Sequence, residues 1–119
     1  MAKEDLGFRI TSAMNTFNLP EVIAERQRLG RSYLEFLRVP SMSVGIYFLP
    51  VCGLDPQKPH TENELYYVMK GRGSVQVDGE DRLVEPGELI LVRAGAEHRF
   101  HSITEDPTLL VIFSPAESS

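Results

Sequence analysis

The feature that most constrains this chain is the regular return of turn residues between short apolar runs. Glu64–Lys70, Ser74–Val77, Arg82–Val84, Leu89–Val92, His98–Ile103 and Thr108–Phe113 each read as a strand. Between the first five lie Gly71-Arg72-Gly73, Asp78-Gly79, Glu85-Pro86-Gly87 and Ala94-Gly95-Ala96. Strands returning every 8–12 residues or so are the mark of a sandwich or barrel. Asp78-Gly79 supplies the residues a tight hairpin demands, and Glu85-Pro86-Gly87 has Pro and Gly where a type II turn wants them. Upstream, Tyr33–Arg38 and Ser43–Leu49 extend the pattern, stopping at Pro40 and Pro50, and Gly53 to Pro59 is turn chemistry. One segment departs from it. Asn18 can cap a helix, Pro20 suits its first turn, and Gly30 offers a left-handed stop. Val22, Ile23 and Leu29 give that helix a short apolar face. About eight or nine short strands and one helix predict an all-β antiparallel barrel or double sheet, in which closure removes the edges that short strands otherwise leave open.

The chain has 119 residues, 42% of them hydrophobic, which fits one domain with a real core. The organisation expected is an arm and helix over 1–30 packed on a barrel over 31–114, with a small polar tail at 115–119 that frays. The net charge is −5 and the Lys and Arg residues are scattered, so no basic stripe favours a nucleic acid. The single cysteine, Cys52, excludes an intramolecular disulfide and reads as a small buried hydrophobe. The charged start, MAKEDLGF, is unlike a secretion signal, and no run approaches the roughly 20 apolar residues of a membrane span. No membrane partner and a cytoplasmic location are expected.

Chemistry concentrates in His60-Thr61-Glu62-Asn63-Glu64, which leads into the strand Leu65–Lys70. Side chains alternate along a strand, so His60, Glu62, Glu64 and Tyr66 tend to project the same way. Inside a small barrel, an imidazole and two carboxylates would each cost several kcal/mol if left without partners. A divalent cation removes that cost by neutralising a carboxylate and filling an imidazole lone pair. A second histidine, His98, stands at the start of a later strand, directly after the Ala94-Gly95-Ala96 turn. A lone histidine is more often a surface or satisfied core residue; the register shared by these positions sets them apart.

These two stretches resemble the two motifs of the cupin superfamily. The first motif runs Gly, about five residues, His-x-His, three or four residues, Glu, six residues, Gly. Here Gly53 leads, His60 fills the second histidine slot, and Glu64 and Gly71 follow in register. The second runs Gly, five residues, Pro, one residue, Gly, two residues, His, three residues, Asn; Gly87, Gly95 and His98 fall in register. The resemblance spans roughly 43–113 and implies a jelly-roll barrel in which His60, Glu64 and His98 converge on one metal ion. Two histidines and a carboxylate suit Fe(II), and also Zn or Mn. Three departures stand out: Lys58 in the first histidine slot, Arg93 for the motif's proline and Ser102 for its asparagine. The alternative four-residue spacing would put Gln57 and Pro59 in the histidine slots and leave His60 out of place. Gln57 could add an amide oxygen and Glu62 a second carboxylate, while a Lys58–Glu64 ion pair would make the site a metal-free relic. Phe100 shares the parity of His98 and reads as pocket wall; Arg99 and His101 should lie on the other, exterior face, and Tyr67 should point outward or into the opposing sheet.

The resemblance covers many chemistries and fold does not choose among them. The first expectation is a metal-dependent oxygenase, isomerase or lyase acting on a small polar molecule, with Glu62 or Tyr66 as proton carrier. The alternative is a non-catalytic cupin module that binds a small molecule or metal. A homodimer is expected in either case.

Overall fold

The computed structural model describes residues 13–49 and 59–118. The sequence assignments to Cys52, Gly53, Gln57 and Lys58, and to the arm before residue 13, lie outside these residues. The described chain forms one helix, α1 (Leu19–Leu29), and six strands: β1 (Tyr33–Val39), β2 (Met42–Phe48), β3 (Asn63–Val77), β4 (Glu80–Val84), β5 (Leu89–Val92) and β6 (His98–Ser114). All pairings are antiparallel, in the order β1-β2-β6-β3-β4, with β5 also paired to β3.

The helix forms where its caps allow. The Asn18 side chain accepts a hydrogen bond from the Glu21 amide at 3.0 Å, and Gly30 closes the helix at φ 67. That left-handed geometry costs a residue with a Cβ about 1 kcal/mol or more, and glycine little.

Two expected pairs of strands are in fact single long strands. Ser74–Val77 continues from Glu64–Lys70 as β3, and Thr108–Phe113 continues from His98–Ile103 as β6. Gly71-Arg72-Gly73 is therefore not a turn. The chain bends there instead, through register shifts between Val68 and Ser74 in the β3–β6 pairing. Such irregularities kink a strand while letting the ladder resume beyond them. Gly71 permits the bend: its φ is 95, and a Cβ on it would lie 2.4 Å from Cα of Pro107 on β6. The bend sends the two long strands through both layers of a jelly-roll barrel. The first half of β3 lies between β5 and the second half of β6; its second half lies between β4 and the first half of β6.

Apolar residues sort into two clusters. Inside the barrel, Tyr47, Leu49, Tyr66, Val68, Val75, Val84, Val92, Phe100, Leu109, Val111 and Phe113 are buried together. Outside it, Val22 of α1 packs on Leu34, Phe36, Val44 and Ile46 of β1 and β2. Residues 116 and 117 make hydrogen bonds back to the first two strands and their turn. The Ala116 amide donates to the Pro40 carbonyl at 3.3 Å, and the Glu117 amide to Ser43 Oγ at 2.9 Å.

Candidate metal centre

The interior face of the first layer runs in cross-strand rows. Glu64 on β3 stands between Val92 on β5 and Phe113 on β6, and Phe113 in turn faces Ser43 on β2. The alternation read from the sequence holds: Glu62, Glu64 and Tyr66 are all buried, at 4%, 1% and 0% exposure. His60 is partly buried just before the strand, its ring set edge-on to Phe113 with centroids 5.0 Å apart. His98 opens β6, opposite Val77.

Main-chain contacts lock the two sequence-distant segments together. The Gly95 amide donates to the His60 carbonyl at 2.7 Å, and the Ala94 amide to Asn63 Oδ1 at 2.9 Å. The turn before His98 is thus latched onto the residues flanking Glu64. On its other side, the Asp78 amide donates to the Glu97 carbonyl at 2.8 Å and the Glu97 amide to Asp78 Oδ1 at 2.9 Å. His98 sits between these two clamps.

The three residues bring one ligand atom each to within 4.8 Å of one another. Glu64 Oε1 is 3.1 Å from His98 Nε2 and 3.8 Å from His60 Nε2. Ligand atoms about 2.0–2.2 Å from a shared ion are about 3 to 3.5 Å apart when adjacent, so the group is near the right size. Nδ1 of His98 is 3.1 Å from the Ala96 carbonyl, which can only accept, so that nitrogen carries a proton. In the neutral ring, Nε2 then turns its lone pair toward Glu64. Neither oxygen of Glu64 has a hydrogen-bond donor, although His98 Nε2 is close. A buried carboxylate with no donor facing an imidazole lone pair is unfavourable alone and is what a cation would satisfy. The residues present therefore fit a divalent ion.

Other expected site residues take different places. Glu62 is not part of the converging group. Its Oε2 accepts from the hydroxyls of Thr61 and Ser118, the latter at 2.9 Å, and its Oε1 is buried without a hydrogen-bond partner. Burial pushes the Glu62 carboxyl up, but the hydrogen bonds from Thr61 and Ser118 outweigh it and hold the group below its ordinary value. Tyr66 is wholly buried, with its ring 6.1 Å from that of His98 and edge-on to Phe100 at 5.0 Å. Phe100 is buried, at 3% exposure. Tyr67, Arg99 and His101 face outward, and His101 Nε2 meets Asp81 Oδ1 at 2.6 Å. Ser102, in the asparagine slot, has φ 50, a left-handed position that asparagine tolerates better than most residues.

Sequence reasoning missed Tyr33 and Glu117. The Tyr33 ring lies across Gly45, where any Cβ would collide with its ring and hydroxyl, and the hydroxyl is buried without a hydrogen-bond partner. Burial first, then the negative charges of Glu117, Glu35 and Glu64, push its pKa far above the ordinary phenol value. It is a neutral donor. Glu117 brings Oε2 to 3.8 Å from Nδ1 of His60. No local pattern marks either residue, because each acts through neighbours far away in sequence.

Comparison with known proteins agrees with this fold. Residues 47–114 match the family described as "Cupin domain", and the chain belongs to that family. It is 46% identical over 105 residues to an uncharacterised protein of Streptomyces coelicolor, across 88% of this chain and 100% of that protein. A solved structure from Thermus thermophilus superposes with a TM-score of 0.66 at 25% identity, covering 87% of this chain and 99% of that one. Acireductone dioxygenase 1 of Physcomitrium patens is 30% identical over 86 residues, which span 68% of this chain and 44% of that enzyme.

Proposed function

We propose that this protein is a metal-dependent cupin enzyme acting on a small polar metabolite inside the barrel, with His60, Glu64 and His98 as the ligands of one divalent ion, Fe, Zn or Mn. The observation that carries the reading is the donor-less carboxylate of Glu64, 1% exposed, between two imidazoles. A divalent ion held there supplies Lewis-acid stabilisation of negative charge developing on a carbonyl or enediol oxygen. The chain's own groups do the rest. Glu62, ionised at neutral pH and with one oxygen lacking a donor, is the proton acceptor. Tyr66 is the second candidate proton carrier, its ring beside that of His98. The neutral Tyr33 hydroxyl donates a hydrogen bond to the ligand, and Phe100 and Phe113 exclude water. Similarity to an acireductone dioxygenase favours oxygenase chemistry among the possible reactions.

Purified protein loaded in turn with Fe(II), Mn(II) and Zn(II) and assayed on a panel of enediols, keto acids and sugar acids tests this, with O₂ uptake followed. Turnover that depends on metal and drops in Glu62→Gln or Tyr66→Phe supports it. Ligand binding with no turnover under any metal favours the alternative, a non-catalytic binding module. The 3.1 Å approach of His98 to Glu64 gives that alternative a basis, because a charged imidazole could neutralise the carboxylate without metal.

The same reading includes a homodimer. Tyr67, Leu89 and Leu91 are 39%, 65% and 59% exposed on the outer face of β3 and β5, a surface that association would cover. Sedimentation velocity tests it. No helix among the described residues is long and apolar enough to cross a membrane. A cytoplasmic location is proposed from the single cysteine.

A further inference from the structure

The two histidines of the site are oriented by different means. His98 has Nδ1 at 3.1 Å from the carbonyl of Ala96, two residues before it. For His60 the facing groups are carboxylates: its Nδ1 faces Glu117, while its Nε2 faces Glu64, each at 3.8 Å. The carboxylate of Glu117 is only 17% exposed, so its charge is poorly screened. Its position is fixed by the backbone around it. The Glu117 amide donates to Ser43 Oγ at 2.9 Å, and Ser43 is completely buried on β2. The Glu117 carbonyl accepts from Arg38 Nη2 at 2.7 Å. On either side, Ala116 is bonded to Pro40 at 3.3 Å and the Ser118 hydroxyl to Glu62 at 2.9 Å.

We infer that Glu117 is the positioning residue for His60: its carboxylate accepts the Nδ1 proton and so holds the Nε2 lone pair toward Glu64 as a metal ligand. The 3.8 Å separation is ion-pair range, and hydrogen bonds in such sites often tighten only when the site is filled. A carboxylate behind a ligating imidazole fixes its tautomer and raises its basicity. Metal affinity depends on a residue that lies beyond the family-matched segment 47–114 and reaches the site through residues of β1 and β2. This inference rests on the metal-binding reading above, and its test separates the two.

The test uses Zn²⁺ as the probe on the full chain. Affinity is measured by chelator competition for wild type, Glu117→Ala and Glu117→Gln, and imidazole nitrogen spectra are taken of the Zn²⁺-loaded, ¹⁵N-histidine-labelled proteins. Glu117→Ala is expected to lose about 10- to 100-fold in affinity. Glu117→Gln, which keeps an acceptor oxygen and the side-chain volume, is expected to lose less. The His60 Nδ1 signal should move in Glu117→Ala while that of His98 stays, since His98 keeps its own acceptor. A merely structural role would disturb both signals or neither. Should Glu117→Ala fail to fold, Glu117→Gln decides: a shift of the His60 signal alone supports the inference, and an unchanged one overturns it. Tight Zn²⁺ binding by wild type with equal binding by the variants overturns the role of Glu117 and leaves the metal site standing. Absence of binding by wild type, of Zn²⁺ and equally of Mn²⁺ and Fe²⁺, overturns both.

Discussion

The two apolar clusters of this protein sit back to back on the same strands and obey different rules. The outer one, beneath α1, is made of Val22, Leu34, Phe36, Val44 and Ile46. The charged side chain buried on α1, Arg26, has partners: its Nη1 donates to the Arg31 carbonyl at 2.5 Å and its guanidinium lies over the Phe48 ring. The inner cluster is as well packed, yet beside Tyr66 and Phe113 it buries Glu64 and His98 at 1% and 6% exposure, and the Glu64 carboxylate has no donor. Folding alone explains the first arrangement and works against the second. A barrel of this size would be more stable with apolar residues at those positions, and the proposed metal binding is what would offset that cost.

Variants on the two sides should therefore respond in opposite ways. On the outer side, Ile46→Ala removes a wholly buried side chain and should lower unfolding free energy by about 2–5 kcal/mol. Urea titration should show this loss with Zn²⁺ affinity unchanged; a loss of affinity would mean that the two sides are coupled. On the inner side, Zn²⁺ at about 100 times its dissociation constant should stabilise wild type by about 2.7 kcal/mol, and chelation should remove that gain. Thermal unfolding with and without EDTA measures it. Glu64→Gln should abolish the Zn²⁺ effect and, without metal, raise stability by about 1 kcal/mol, because it deletes a buried charge that has no donor. A fall of about 3–5 kcal/mol in the metal-free variant would instead reveal a charged His98–Glu64 pair. The smallest effect is expected at Ser102, away from both clusters. Ser102→Asn should add about 0.5 kcal/mol by easing the left-handed backbone, with no change at the site.

The same contrast explains how far the sequence could be read. The helix ends at Asn18 and Gly30 and the Asp78-Gly79 turn were legible because their chemistry is local. His60, Glu64 and His98 were legible because strand alternation and motif spacing are also short-range signals. The continuity of β3 through Gly71-Arg72-Gly73 was not. Two glycines around an arginine look like a turn, and only the packing of Gly71 on Pro107 turns the segment into a bend. Nor could residues 115–118 be read. They are small and polar, and their partners Ser43, Arg38 and Glu62 lie 56 to 79 residues away in the chain.

In the proposed function, His60, Glu64 and His98 hold one ion between them. Equilibrium dialysis of metal-free protein against Zn²⁺, Mn²⁺ and Fe²⁺, with elemental analysis of the bound fraction, tests it most directly. Wild type should bind about one ion per chain with at least one of these metals, and His60→Ala, Glu64→Gln and His98→Ala should lose that binding. Wild type that takes up none of them, or variants that retain the ion at full stoichiometry, would contradict it.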